Sequence, residues 1–417
     1  MSRREAHRTL GLLLTGHVLS RTGNVVGLFA LPFLVLGRGG GPAEVGIAAF
    51  AATAPILLGG PLGGAVVDRV GALRSSAVAD AVSGATIAMV PLLAALDALP
   101  FPVLLALVFL GGLLDAPGET ARRVVLPQIA ERAGIRLERA VGFLDSTSRL
   151  STLLGAPLAG VLVAVIAPER TLVVTAIAFA LSASLTLLLT RTATGRSLHP
   201  EPVTEPRGGA WAELSAGIRF LVREPVLRLV VGMVLITNLL DAARMGSLLP
   251  LYAEEQLGGA AALGLISGAF GGAAFLGSIT FGFVAHRVPR RPVFVLGFLL
   301  AGGPSLLAPA LGADTGWMVA AAVVSGLAAG VLNPIIGAVE LERVPRALRG
   351  RVLGAITAGA WAGIPLGGLL GGLAASVLDL SAVFGILLAG YTVAALLPLT
   401  GGAWRGMERG TAEDSTR

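Results

Sequence analysis

The chain has 417 residues, 31 of them basic and 25 acidic, which gives a formal net charge of +6; 54% of it is hydrophobic and only 13% charged. A soluble domain carries about 25% charged residues, so this composition excludes a chain that covers itself with a polar surface. Cysteine is absent, which excludes a disulfide framework and a thiolate metal site.

Apolar segments follow one another along the whole chain. Segments of about 20 residues cross a hydrocarbon core roughly 30 Å thick as helices. Six precede a polar linker and six follow it: 9–37, 43–67, 75–97, 101–121, 141–167 and 170–190, then 226–252, 260–285, 292–312, 315–339, 352–377 and 380–403. The pattern predicts an all-α polytopic membrane protein with twelve transmembrane helices. We expect an N-terminal six-helix bundle (1–190), a cytoplasmic linker (191–225), a C-terminal six-helix bundle (226–404) and a cytoplasmic tail (405–417).

The linker has two parts. Thr192 to Gly209 is rich in proline and polar residues and is typical of a flexible tether. Ala210 to Arg223 places apolar residues at helical spacing, which predicts a helix. This helix either lies on the inner membrane surface or extends the seventh transmembrane helix.

The two groups of helices are divergent copies of one repeat. Leu31-Pro32 recurs as Leu249-Pro250, 218 residues later. The run from Gly64 to Gly71 recurs at the same interval, from Gly282 to Pro289. The chain is therefore a tandem duplication, in which each half tests what is inferred about the other.

All 31 basic residues are arginine, and their distribution predicts the orientation. Numbering the gaps between helices alternately puts 26 of them on one side and only Arg38 and Arg170 on the other. The positive-inside rule places the arginine-rich side, with both termini and the linker, in the cytoplasm. We therefore assign the high basic charge to membrane topology, and we expect no nucleic-acid partner.

The loop after the second predicted helix combines glycines with an acid and bases: Gly64, Asp68, Arg69, Gly71 and Arg74. This spacing resembles the signature loop of the major facilitator superfamily. There the glycine lets two helices pack closely, and the acid and base lock a cytoplasmic gate. The resemblance implies that role for Asp68 and Arg69. Ala72 and Leu73 depart from the family, which usually has basic residues there.

The second copy of this loop carries His286 where the first carries its acid, followed by Arg287. The resemblance implies a gate role for these two residues as well.

Glycines surround a proline in the fifth and eleventh predicted helices: Gly155, Pro157 and Gly160, then Gly363, Pro365 and Gly367. Proline removes a backbone hydrogen bond and bends a helix, and the glycines let a neighbour fit against the bend. The first set resembles the kink motif of facilitator-type exporters.

A narrower resemblance covers both halves. Its segments are Glu213 to Arg228, Arg21 to Asn24, Pro117, Leu126-Pro127 and Arg349 to Arg351. They are similar to a branch of exporters that includes macrolide efflux pumps and the enterobactin exporter. The resemblance implies a rocker-switch fold, a central cavity lined by helices 1, 4, 7 and 10, and proton-coupled export of an organic molecule.

Ionisable residues are rare within the predicted helices, where they are costly and usually face a bundle interior or water. The deep ones are Arg21, Asp115, Glu119, Asp145, Arg149, Asp241 and Arg244; Asp80 lies in the cytoplasmic part of the third helix. The polar residues Asn24, Asn238 and Asn333 lie in the first, seventh and tenth helices. The resemblance implies that Arg21, Arg244 and these three asparagines line the cavity.

Asp241 is the deepest acid, and Asn238 precedes it by one turn. A carboxylate takes up a proton in apolar surroundings and releases it beside a cation. Our hypothesis is that Asp241 carries the coupling proton, with Arg21 or Arg244 as its changing partner. The alternative is a static Asp241–Arg244 pair, since the two residues are spaced i,i+3 on one helix face.

Asp115 and Glu119 are four residues apart on one face of the fourth helix. Asp115 is the second proton candidate, or binds a cationic substrate. Glu119 lies near the cytoplasmic end, which favours a gate role beside Arg122 or Arg123. Asp145 and Arg149 are spaced i,i+4, and we expect them to pair with each other.

These features predict a secondary transporter that exports a small organic compound, such as a drug, an antibiotic or a siderophore-like metabolite, by proton antiport and alternating access. The alternative is an importer or facilitator of a small polar solute. We expect no enzyme activity, no metal site, and no cofactor beyond a proton gradient as energy source. The expected partners are the substrate and the lipid bilayer, with the chain acting as a monomer in the cytoplasmic membrane.

Overall fold

The computed structural model describes residues 3–57, 67, 69–191, 209–345 and 348–408. These residues are almost entirely α-helical, because a helix satisfies its own backbone hydrogen bonds where no water is available. Contacts divide the chain into unit 1, residues 1–203 with 259–264, and unit 2, residues 204–258 with 265–417.

Six helices make up most of unit 1. They are α1 (Arg3–Gly37), α2 (Pro42–Thr53), α3 (Ala72–Ala95), α4 (Phe101–Ala133), α5 (Leu137–Ile166) and α6 (Pro168–Arg191). Five are long and apolar enough to cross a membrane, and the described part of the second, Pro42–Leu57, is a shorter apolar helix.

The second half of the chain begins with a linker helix, Gly209–Arg223. Six membrane-crossing helices follow: α7 (Pro225–Gln256), α8 (Ala260–Arg287), α9 (Arg290–Ala310), α10 (Thr315–Arg343), α11 (Arg349–Ala375) and α12 (Leu380–Leu399). The twelve helices and the all-α class expected from the sequence are confirmed for the described residues.

Several helices run beyond the apolar segments that predicted them. Helix α4 continues from the end of its apolar run, residue 121, to Ala133. Gly134 then ends it with a left-handed backbone (φ +65°), which lets its N–H bond the carbonyls of Ala130 and Glu131. The charged residues after residue 121 are therefore helical, and their side chains point in defined directions.

The internal packing of the units follows the duplication. In unit 1, α3 packs against α4 and α6, and α1 packs against α5 and α6. In unit 2, α9 packs against α10 and α12, and α7 packs against α11 and α12. The two copies of the repeat therefore form the same helix pairs.

The linker helix is separate from α7. Glu224 leaves the helical conformation (φ −85°, ψ 108°) and caps α7 by accepting the N–H of Val226. The alternative of a simple extension of α7 is wrong, because the residue before a proline, here Pro225, is disfavoured in the α conformation. Gly217 of the linker helix packs on the backbone of Arg351 in α11, and Leu221 is buried whereas Ile218 is exposed.

Candidate functional site

Two polar contacts join α1 to α4 within unit 1. The side-chain amide of Asn24 donates to Oδ2 of Asp115 over 2.5 Å. One turn further towards the N-terminus of α1 and the C-terminus of α4, Arg21 pairs with Glu119 over 3.3 Å. The residue spacings of three on α1 and four on α4 place both contacts on facing sides of the two helices.

A second arginine extends this arrangement to α5. Arg123 lies 3.4 Å from Glu119 and 3.6 Å from Asp145. The charges of Arg21, Glu119, Arg123 and Asp145 therefore alternate across α1, α4 and α5. Their side chains are between 32% and 51% exposed, although they belong to apolar helices.

The structure contradicts one predicted pair and decides between the two predicted partners of Glu119. Asp145 does not pair with Arg149, which is exposed on the same helix. Asp145 pairs instead with Arg123 from the neighbouring helix α4. Of the two predicted partners of Glu119, Arg123 pairs with it. Arg122 does not, because its side chain lies on the buried side of α4. The spacing within one helix could not show that the competing partner comes from another helix.

Arg122 belongs to a buried polar cluster at the centre of unit 1. Its guanidinium lies 2.6 Å from Asp80 of α3, with side-chain exposures of 3% and 0%. It also donates to Ser76 and Ser20. Asp80 further accepts from the hydroxyls of Ser20 on α1 and Ser182 on α6. The sequence shows these polar residues in separate apolar helices, but nothing in it indicates that they meet.

His17 connects the buried cluster to α5. Its Nδ1 faces Arg122 at 3.5 Å, and its Nε2 lies 2.7 Å from the hydroxyl of Ser148. Because arginine can only donate, Nδ1 must accept and Nε2 carries the hydrogen. His17 is therefore held as a neutral imidazole.

In unit 2, the deepest acid, Asp241, pairs with Arg244 of its own helix. Arg244 donates through Nε and an Nη to Oδ1 of Asp241, at 3.2 and 3.0 Å. Arg244 begins a π-helical turn, Arg244–Leu248, a local geometry frequent at functional sites. The static i,i+3 pair considered for this acid is the arrangement in the structure, while Arg21 pairs with Glu119 instead.

The remaining predicted cavity residues are spread over unit 2. Asn238 donates its amide to the carbonyl of Ala360 on α11 over 2.9 Å. Asn333 is exposed on α10. Their role in lining a cavity stays a prediction.

The signature loop lies only partly within the described residues. Gly64 and Asp68 are outside them, while Arg69, just before α3, and Arg74, in its first turn, are exposed. Gly71 precedes α3 with φ +88°, a conformation that glycine adopts without strain. The gate role of this loop stays a prediction.

In the second copy, Arg287 donates to Nε2 of His286 over 3.0 Å, and both side chains are exposed. A further cation near this loop, Arg290, was missed by sequence reasoning. It forms a two-point contact with Glu342 of α10, at 2.6 and 2.7 Å. Arg343, which follows Glu342 on α10, pairs with Glu224 over 2.7 Å.

The glycine-proline sets lie at close helix contacts. A Cβ at Gly155 of α5 would lie 2.7 Å from Val25 of α1. Pro157 lies within α5, where Gly160 is buried. In unit 2, α11 is helical over Arg349–Trp361 and again over Ile364–Ala375, so it is interrupted at Gly363, just before Pro365. Gly367 packs on the backbone of α7 at Leu239.

The chain resembles known transport proteins over most of its length. The family model described as Major Facilitator Superfamily matches residues 13–262 and 238–405. The multidrug efflux pump Tap of Mycobacterium tuberculosis is 34% identical over 377 residues, or 89% of this chain and 88% of that protein. Tap of Mycolicibacterium fortuitum is 31% identical over 379 residues, or 89% of this chain and 90% of that protein.

Solved structures share the fold. A POT family transporter in complex with a thioalcohol-conjugated peptide superposes with a TM-score of 0.72 at 14% identity, covering 94% of this chain and 95% of that one. The nucleoside transporter NupG superposes with a TM-score of 0.70 at 15% identity, covering 95% and 98%. At these identities the similarity establishes the fold alone.

Proposed function

Because this chain belongs to the major facilitator superfamily, we propose that it exports small organic, drug-like compounds by proton antiport and alternating access. The observation that carries the proposal is the similarity to proteins named as multidrug efflux pumps, which spans 89% of the chain. The chain is a multi-pass membrane transporter of this family, and the compound, the direction and the energy source are what we propose.

The orientation follows from the arginine distribution. With 26 of the 31 arginines on one side of the predicted helices, we place both termini and the linker helix in the cytoplasm. The exporter would then take its substrate from the cytoplasm or the inner leaflet of the cytoplasmic membrane.

We assign the coupling proton to Asp115 rather than to Asp241. Asp241 has Arg244 as a cationic partner 3.0 Å away, and a cation stabilises the ionised carboxylate. Among the residues that the structure describes, Asp115 makes no ion pair, and its contact is the neutral amide of Asn24. A carboxylate in an apolar helix that is not paired with a cation takes up a proton most readily.

The geometry suggests how Asp115 works in the cycle. Asn24 occupies Oδ2, which leaves Oδ1 to take and release the proton. Protonation removes the negative charge and weakens the charge-assisted bond between α1 and α4. The proton would thus change how strongly these two helices, which the family uses to line its cavity, hold together.

The first experiment tests export and its direction. The chain is expressed in an efflux-deficient bacterial host and challenged with tetracycline, erythromycin and ethidium. We expect higher resistance and lower intracellular accumulation of at least one compound. Increased accumulation would instead favour the importer alternative, and no change for any compound would contradict drug export.

The second experiment tests coupling in everted membrane vesicles. We expect an imposed pH gradient, acidic inside, to drive ethidium or tetracycline uptake by the wild type. Asp115→Asn should abolish the response to the gradient at unchanged protein levels. Full gradient-driven uptake by Asp115→Asn, combined with its loss in Asp241→Asn, would move the proton to Asp241.

A further inference from the structure

The mechanism proposed above leaves the Asp80–Arg122 pair unused. Burying two charges is expensive, and a buried ion pair often adds no stability over an apolar pair of similar volume. This pair is nevertheless almost fully buried, at 0% and 3% side-chain exposure. It also joins α1, α3, α4 and α6 through Ser20, Ser76 and Ser182.

The cation of this pair lies close to Asp115 on the same helix. Arg122 follows Asp115 by seven residues, or about 10 Å along the helix axis. The guanidinium of Arg122 lies beside Gly118, one turn earlier on α4. A Cβ built on Gly118 would be 3.4 Å from an Arg122 Nη and 3.9 Å from Asp80 Oδ1. The charge of Arg122 is therefore nearer to Asp115 than the backbone spacing alone indicates.

The other charges around Asp115 are compensated or remote. The helices packed against α4 are α1, α2, α3 and α5. Besides Arg122, the charged and titratable groups in or beside the apolar segments of α1 to α5 include His17, Arg21, Glu44, Arg74, Asp80, Glu119, Arg123, Asp145 and Arg149. Arg21, Glu119, Arg123 and Asp145 neutralise one another through their ion pairs.

The four remaining groups apart from Asp80 do not offset Arg122 either. Glu44 caps the backbone N–H of Gly41 at the start of α2, and Arg74 and Arg149 are exposed. His17 is neutral because of its two contacts. Asp80 is thus the group that cancels the charge of Arg122.

We propose that Asp80 is a positioning residue that sets the pH at which Asp115 exchanges its proton, by neutralising Arg122. This inference rests on the proposed function, in which Asp115 is the proton carrier. Without Asp80, an uncompensated cation within two turns would hold Asp115 ionised at a pH where the wild type takes up a proton. At an effective dielectric constant of about 20, a unit charge near 10 Å corresponds to about one pH unit.

The experiment measures gradient-driven uptake of ethidium or tetracycline into everted vesicles, as a function of pH at the cytoplasmic face and at constant pH difference. Asp80→Asn should move the midpoint of the profile to lower pH by about one unit. Arg122→Gln should move it to higher pH, because Asp80 keeps the hydroxyl donors Ser20 and Ser182, which favour its ionised form, and remains as an uncompensated anion. The double variant should return the midpoint close to that of the wild type.

Asp97→Asn is the matched control. It makes the same substitution in the exposed turn after α3, at a residue with φ 51° that asparagine tolerates. We expect its midpoint to equal that of the wild type. A purely structural role for the buried pair would lower the uptake of both single variants without moving their midpoints in opposite directions.

Breaking a buried pair destabilises a protein, so a second pair of variants keeps the proposal testable if the single variants fail to accumulate. Ser76 lies 3.1 Å from Nε of Arg122, so Ser76→Asp adds an acid beside this cation and Ser76→Asn adds an uncharged isostere. Ser76→Asp should raise the midpoint relative to Ser76→Asn.

Three outcomes separate this inference from the proposed function. If the rate of uptake by the wild type does not respond to the pH gradient, both the proposed function and this inference are overturned. Coupling that is lost in Asp115→Asn, with midpoints that stay fixed in the Asp80, Arg122 and Ser76 variants, would overturn the inference alone. Opposite shifts in the two single variants, or a higher midpoint in Ser76→Asp than in Ser76→Asn, would support it.

Discussion

Asn24 on α1 donates its side-chain amide to Asp115 on α4 across 2.5 Å. The bond stabilises the ionised carboxylate, since a donor to the charged form favours that form. Asn24→Leu removes the donor at similar volume. We expect the pH midpoint of gradient-driven uptake to rise by about one unit, from the loss of one charge-assisted hydrogen bond.

Asn238→Leu is the control for this change. Its amide donates to the backbone carbonyl of Ala360 rather than to a carboxylate, so we expect lower stability with an unchanged midpoint. Equal midpoints in the two variants would show that Asn24 does not tune Asp115.

The Asp241–Arg244 pair should stabilise unit 2. Arg244 is 8% exposed and Asp241 39% exposed, so Asp241→Asn leaves a buried guanidinium with a weaker partner. We expect a loss of about 2 kcal/mol, measured as earlier thermal unfolding of the purified protein in detergent. Asp241→Leu combined with Arg244→Leu should be less destabilised than Asp241→Asn, and the reverse order would argue against a structural role for the pair.

Helices α7 and α11 are in backbone contact at Gly367. A Cβ there would lie 2.8 Å from the Cβ of Ala242 and closer still to the carbonyl oxygen of Leu239. Gly367→Ala should therefore cost about 1–3 kcal/mol through overpacking and reduce the amount of protein recovered from the membrane. Gly354→Ala on the same helix meets no atom within 4 Å, and we expect its yield to match that of the wild type.

The segment after α12 packs into unit 2. Trp404 is 3% exposed and Met407 1% exposed, and Glu408 accepts the backbone N–H groups of Arg290 and Arg291 at the start of α9. Trp404→Ala should cost about 3–5 kcal/mol, measured by thermal unfolding in detergent. Trp317→Ala removes a tryptophan that is 72% exposed; an equally large effect there would show that burial is not the cause.

The individual predictions had different outcomes because they depended on different kinds of information. The helices were predictable, since a continuous apolar run is itself the physical requirement for crossing a bilayer. The i,i+3 contact of Asp241 with Arg244 was a stated alternative, because helical spacing is a local property. The expected Asp145–Arg149 pair was wrong, since Arg123 reaches Asp145 from a different helix.

The sequence by itself determined that the chain crosses the membrane as two related sets of six helices, because length, hydropathy and repetition are properties of the chain order. It also placed a small number of charges within these helices. Only the tertiary structure decided which charges meet. Neighbouring residues Arg122 and Arg123 point to different sides of α4, one buried against Asp80 and the other exposed beside Glu119 and Asp145. Successive residues on a helix are about 100° apart, so which of the two is buried depends on how α4 packs against α1, α3 and α5.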